Sequence, residues 1–130
     1  MPSFKISKSE LLSNKNRLSN LFESGKVVKA FPFKIIYISE KTTAHFPQVQ
    51  FAFSIPKRSF KKAVDRNFLK RRIKEAFRLH KHKIYDALVK DQSIYGIIIY
   101  IDKEKRDFHS IKKAYDKASI KLIASALLDS

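Results

Sequence analysis

Apolar and polar residues alternate from Val49 to Ile55, with Val49, Phe51, Phe53 and Ile55 set against Gln50, Ala52 and Ser54. A period of two predicts a strand with one buried face. Two more strand-like runs, 26–31 and 33–39, lie either side of Pro32, and the second is rich in β-formers (Phe33, Ile35, Ile36, Tyr37, Ile38). The unbroken apolar run Tyr95–Ile101 predicts a strand buried on both faces. Elsewhere the period is helical. Ser13 is placed to cap a short helix whose buried face is Leu18, Leu21 and Phe22, and Gly25 stands where a left-handed residue ends a helix. Leu69, Ile73, Ala76 and Phe77 make the apolar stripe of a helix from about Lys62 to His80, with Ile84–Val89 as a separate short turn. Phe108, Ile111, Tyr115, Ala118, Leu122 and Ile123 share one face of a helix from Asp107 to about Leu128. Residues 1–12 read as a loosely tied arm and 40–47 as a polar loop. The order α-βββ-α-β-α predicts an α/β (α+β) two-layer sandwich, with helices covering one mixed four-stranded sheet.

Composition narrows the class. A chain of 130 residues with 44% hydrophobic content, eleven Phe and only two Gly fits one folded domain spanning residues 1–130. It has no cysteine, hence no disulfide framework and no thiolate metal site. The opening MPSFKISKSELL has no apolar core of a signal peptide, and Ile94–Ile101 is too short to cross a bilayer. The expectation is a cytoplasmic protein with no membrane segment.

Charge changes the picture most. Lys57–Lys83 carries twelve Lys or Arg against Asp65 and Glu75, a local +10 within a chain total of +16. On a helix, Asn67, Lys70, Arg71, Lys74 and Arg78 share a face different from the apolar stripe. Like charges at these spacings repel, by a few tenths of a kcal/mol per pair. A polyanionic partner would neutralise them. The alternatives are a solvated charged face, which normally mixes signs, and a membrane-surface or calmodulin-target helix, which normally leaves its apolar face exposed.

The ungapped run from Ala63 to Phe77, Ala-Val-Asp-Arg-Asn-Phe-Leu-Lys-Arg-Arg-Ile-Lys-Glu-Ala-Phe, resembles the signature of the bacterial ribonuclease P protein subunit. The resemblance covers about residues 13–127 and is strongest from 51 to 78. It implies a left-handed β-α-β crossover through the basic helix, and a role beside a catalytic RNA that removes the 5′ leader of precursor tRNA with Mg2+. It implies contacts to that RNA from Lys62, Arg66, Asn67, Lys70, Arg71, Lys74 and Arg78. It also implies a leader-binding cleft between the first helix and the sheet, with Phe22, Phe33, Lys57 and Arg58 near it. Three features depart from the family pattern. Leu18 stands where Phe is frequent, Tyr37 is one position off a frequent aromatic, and Ser59–Lys62 lacks the frequent Gly.

The residues themselves leave alternatives open. Phe22 and Phe33 fit core positions as well as stacking platforms, and Asn67 fits a helix end as well as an RNA contact. His80 and His82, two apart, share no helix face and read as surface residues rather than as a metal site. No close set of acids or histidines and no Gly-rich phosphate loop is visible, so no catalytic residue of this chain is expected. The leading expectation is therefore a ribonuclease P protein subunit, with the catalytic RNA and precursor tRNA as partners and no protein partner implied. A general RNA-binding protein of ribosomal or chaperone type is the alternative, and a protein-only nuclease a third.

Overall fold

Pairing between distant segments decides the sheet. The computed structural model describes residues 5–41 and 47–128, so residues 1–4 of the expected arm and 42–46 of the expected loop lie outside the described residues. Strands β1 (Lys26–Ala30), β2 (Phe33–Lys41), β3 (Val49–Ser54) and β4 (Gln92–Tyr100) lie in the order β1-β2-β4-β3. β1–β2 and β2–β4 are antiparallel, whereas β3–β4 is parallel. Parallel neighbours need a long crossover, supplied here by helix α2 (Ala63–Ala87). Helices α1 (Lys15–Ser24) and α3 (Phe108–Leu128) complete the expected element order. β2 and β4 pair from Phe33↔Tyr100 to Lys41↔Gln92, several residues past their apolar runs, because the ladder bonds backbone groups whatever the side chains.

The strand alternation sorts two cores. Phe33, Ile35 and Tyr37 of β2 face α2 and α3, in a cluster with Phe51, Phe77, Ile98 and Tyr115. Ile36 faces the other way and clusters with Tyr95, Ile97 and Leu21 of α1, with Leu18 and Ile38 packed against them. The sheet and its α2–α3 layer form the expected sandwich, and α1 adds a partial layer on the opposite face. β3 was expected to bury one face only. Its second face is partly covered too, with Gln50 buried.

The short first helix differs most from expectation. Its cap is Asn14 rather than Ser13, with Asn14 Oδ1 accepting from Arg17 N at 3.0 Å. Its buried residues are Arg17 and Leu21; Leu18 is half-buried and Phe22 is 64% exposed. Arg17 and Leu21 are one turn apart, whereas Phe22 lies on the outer flank. Gly25 does cap the helix, but with φ −69 rather than a left-handed angle. Space, not backbone freedom, requires glycine there: a Cβ would meet Leu21 O at 2.4 Å and Ile36 Cγ2 at 2.5 Å. Gly25→Ala is expected to cost about 1–3 kcal/mol, the usual penalty of forcing atoms into a packed site. Urea unfolding checks it, and an unchanged midpoint would refute the tight fit.

The N-terminal arm is not loose where it is described. Leu11 bridges Phe51, and Leu12 N donates to Phe51 O at 2.9 Å. Glu10 is buried and pairs with Lys81 Nζ at 2.8 Å, while Tyr85 Oη donates to its other oxygen at 2.7 Å. Lys81 Nζ also donates to Lys5 O. This anchor explains why α2 continues unbroken to Ala87 instead of stopping at His80. Lys81 is satisfied inside, and Ile84 extends the stripe of Leu69, Ile73 and Phe77. His80 and His82 are half-buried rather than surface residues, and the His80 ring stacks on Tyr115 of α3. Burial, then the nearby Lys83, lowers the proton affinity of His80.

Candidate nucleic-acid interface

The apolar stripe of α2 fixes which way its cations point. Leu69, Ile73, Ala76 and Phe77 are fully buried, so the opposite face must look outward. Asn67, Lys70 and Arg71 are exposed there, and Lys74 is half-exposed. Asn67 is the fifth residue of the helix, not a helix end or turn. Lys70 and Lys74 overlook a hollow of about 160 Å³ lined by Leu11, Leu12, Ala52 and Phe53. Lys74 Nζ lies 6.0 Å from the Phe53 ring. The acids of the segment are both engaged, Glu75 with Arg78 and Asp65 with Lys105. Lys70, Arg71 and Lys74 therefore meet no carboxylate among the described residues.

Two expected contact residues have other commitments. Arg78 is half-buried and donates to both Glu75 oxygens, a contact that raises its own proton affinity and holds the Glu75 carboxyl below its usual range. Arg66 lies about 100° around the helix from Asn67. Its Nη1 donates to Phe60 O and Lys61 O, both at 2.8 Å. Those carbonyls belong to the turn after β3, where Ser59 N and Phe60 N bond back to Pro56 O. Arg66 thus fastens the loop that presents Lys57 and Arg58, both exposed. Lys62 sits at the exposed N-cap of α2 and makes no side-chain cap.

The sheet face beside α1 forms the second surface. Residues directly opposite in a ladder share a face, so the register lines up Lys29, Lys34, Ile99 and Ser54 in one row across all four strands. Lys29 is exposed and the other three are half-buried, and the row ends near Lys57 and Arg58. Lys29 directly opposite Lys34 is an unfavourable like-charge pair unless an anion lies across it. One row further in, Ile36, Ile97 and Ala52 lie beneath or beside α1. In the next, Arg17 of α1 stacks over the Tyr95 ring at 3.9 Å and donates to Gln50 Oε1 at 3.1 Å and Glu40 Oε1 at 2.5 Å.

Phe33 does not belong to this surface. It is fully buried on the opposite face, edge-on to Tyr100 and Tyr115 at 6.0 Å each. Strand parity sends it toward α3, one residue out of phase with Lys34. Phe22 does present its ring to solvent. Sequence reasoning missed Arg17, Lys29 and Lys34. The spacing of Arg17 to Leu21 was the readable signal for the first, while the lysine row required the strand register.

No group of three or more His, Asp or Glu side chains converges among the described residues, so their side chains build no cage for a divalent ion. Among the same residues no helix is long and apolar enough to cross a membrane. A mixed α+β sheet carrying a cationic helix face and a lysine row defines a polyanion-binding domain. Known proteins make the class specific. The Ribonuclease P family matches residues 6–122. The ribonuclease P protein component of Porphyromonas gingivalis strain W83 is 33% identical over 125 residues, 93% of this chain and 88% of that protein. That of Chlorobaculum tepidum is 32% identical over 88 residues, 66% of this chain and 57% of that protein. Among solved structures, the Staphylococcus aureus RNase P protein superposes with TM-score 0.67 at 18% identity, covering 87% of this chain and 94% of that one. The Thermotoga maritima protein gives TM-score 0.60 at 21% identity, covering 91% and 96%. At such identities these two structures speak for the fold alone. The chain belongs to the ribonuclease P family, as a protein subunit of that RNA-processing enzyme.

Proposed function

We propose that α2 grips the RNA subunit and that the sheet face beside α1 holds the 5′ leader of precursor tRNA. The cleavage chemistry and its Mg2+ then belong to the RNA, and the complex works in the cytoplasm. The observation that carries this reading is the run of exposed Lys70 and Arg71 with half-exposed Lys74, held outward by a fully buried stripe. Phosphate contacts by such side chains supply affinity without reading sequence. The leader assignment is supported by the row from Lys29 to Ser54 and by the exposed Phe22 ring on the flank of α1. An aromatic ring stacks on any base, which suits a leader of variable sequence. Arg66 contributes indirectly, by fixing the loop of Lys57 and Arg58.

The test compares assembled holoenzyme on precursor tRNA with and without a leader of several nucleotides. Phe22→Ala is expected to lower the preference for the leader by about 1–3 kcal/mol, the worth of one stacked base. Lys34→Ala is expected to lower it and to weaken its salt dependence. Phe33→Leu, a change within the core, should leave the preference intact while lowering stability. If Phe22→Ala and Lys34→Ala bind both substrates as wild type does, the leader lies elsewhere. The same assembly, with RNA-free protein as control, checks that this chain alone does not cleave.

A further inference from the structure

A third cationic surface lies at the opposite edge of the sheet from the α2 face. Lys70 and Lys74 look out over β3, one outer strand, whereas β1 is the other. Three inter-strand spacings separate them, about 14 Å. Beside β1, the hairpin tip and α3 enclose an open hollow of about 400 Å³ lined by Ala30, Phe31, Lys117, Ile120 and Lys121. Phe31 is 63% and Ile120 59% exposed. No carboxylate lines the hollow. Lys121 Nζ donates to Lys29 O, which holds its ammonium at the rim.

The Phe31 ring is held in place without being buried. The Arg106 guanidinium lies over it, 5.3 Å from its centroid, and Asp102 orients that guanidinium through a 2.8 Å bond to Nε. Single exposed apolar residues are ordinary on a protein surface. Here a fixed aromatic platform, an exposed aliphatic side chain and two lysines meet in one concavity. That combination matches an unpaired nucleotide, which offers a flat base to the ring and phosphates to the ammonium groups. A duplex would bury its bases and leave Phe31 and Ile120 in water. An acidic protein surface would satisfy the lysines but has no specific need of a solvent-facing ring backed by a guanidinium.

We infer that the Phe31–Ile120 hollow binds unpaired nucleotides of the RNA subunit, as a second anchor beyond α2. The occupant follows from charge and from the partner already assigned to this family. Two cationic surfaces on one rigid sheet gain from each other only when one large polyanion reaches both, since the second contact is then intramolecular. The inference does not need the leader assignment made above.

The test has two arms. In the first, the full chain carries Lys70→Ala, Arg71→Ala and Lys74→Ala, and a fluorescein-labelled ten-residue oligouridylate is the probe, read by anisotropy. Adding Phe31→Ala is expected to weaken binding about tenfold, within the range for one stacked base. Adding Lys117→Glu with Lys121→Glu is expected to weaken it at least tenfold and to flatten the salt slope by about 1.4, two single-strand phosphate contacts. The control pair Lys41→Glu with Lys90→Glu makes the same charge change at the far end of β2 and should change affinity less than threefold. Thermal melting of each variant shows whether it is folded. In the second arm, holoenzyme is assembled with RNA subunit bearing 4-thiouridine, and an adduct is expected on the peptides containing Phe31 or Ile120. Equal losses in the control pair, or wild-type binding in both hollow variants, overturn the proposal. So do adducts formed only from thiouridine-bearing precursor tRNA, or a wild-type dimer that Phe31→Ala dissolves.

Discussion

Replacing Lys81 with alanine is expected to destabilise the domain by about 3–5 kcal/mol, a large part of the roughly 5–15 kcal/mol typical of a domain this size. The substitution leaves the Glu10 carboxylate buried with the Tyr85 hydroxyl and the Ser7 N–H and hydroxyl as partners but no cation. An uncompensated buried charge is the costly outcome; replacing both members by apolar residues is often far milder. Glu10→Leu with Lys81→Met should therefore recover much of the loss, apart from the bonds that the Tyr85 hydroxyl, the Ser7 N–H and the Lys5 carbonyl give up. Urea unfolding measures all three, and a Lys81→Ala cost below 1 kcal/mol would sink the anchor.

The pH dependence has a definite sign. Burial raises the affinity of Glu10 for a proton, but the bonds from Lys81, Ser7 and Tyr85 outweigh it, so its folded pKa lies below the ordinary 4.5. A depressed carboxylate contributes stability above its unfolded value and loses it as pH falls through its folded value. Acid unfolding of the wild type should include this loss, and the double apolar variant should lack it.

Lys70→Ala, Arg71→Ala and Lys74→Ala together are expected to flatten the log–log salt dependence of RNA-subunit binding by about 2–3, at roughly 0.7–0.9 per phosphate contact. Extrapolated from that slope to molar salt, the triple variant loses on the order of a hundredfold in affinity near 0.15 M salt. Stability should hold or rise slightly, because Lys70 and Arg71 are exposed and their mutual repulsion is removed. An unchanged slope would mean that this face meets solvent rather than phosphate.

Much of this protein was legible along the chain. The alternation from Val49 to Ile55, the stripe of Leu69, Ile73, Ala76 and Phe77, and the stripe of α3 each depend on local periodicity, which survives without knowing any neighbour. The cationic face of α2 follows from the same geometry. Once the stripe turns inward, Asn67, Lys70 and Arg71 must turn outward. The run from Ala63 to Phe77 also carried the family resemblance that the known relatives bear out.

What the chain alone did not decide was which partner each ambiguous residue would meet. On a ten-residue helix, Phe22 reads as more apolar than Arg17, yet Arg17 is buried because Tyr95, Gln50 and Glu40 receive its guanidinium from three different strands. Phe33 and Lys34 are adjacent in β2, and only helices on both sides of the sheet make one of them core and the other cleft. Lys81 looked like a helix end until Glu10, 71 residues earlier, came to meet it. Sequence by itself determined the order of the elements and the cationic helix face, because backbone periodicity and charge are local. Tertiary structure alone decided the buried ion pair, the lysine row and the outward ring of Phe31, because burial and register are set by contacts between segments far apart in the chain.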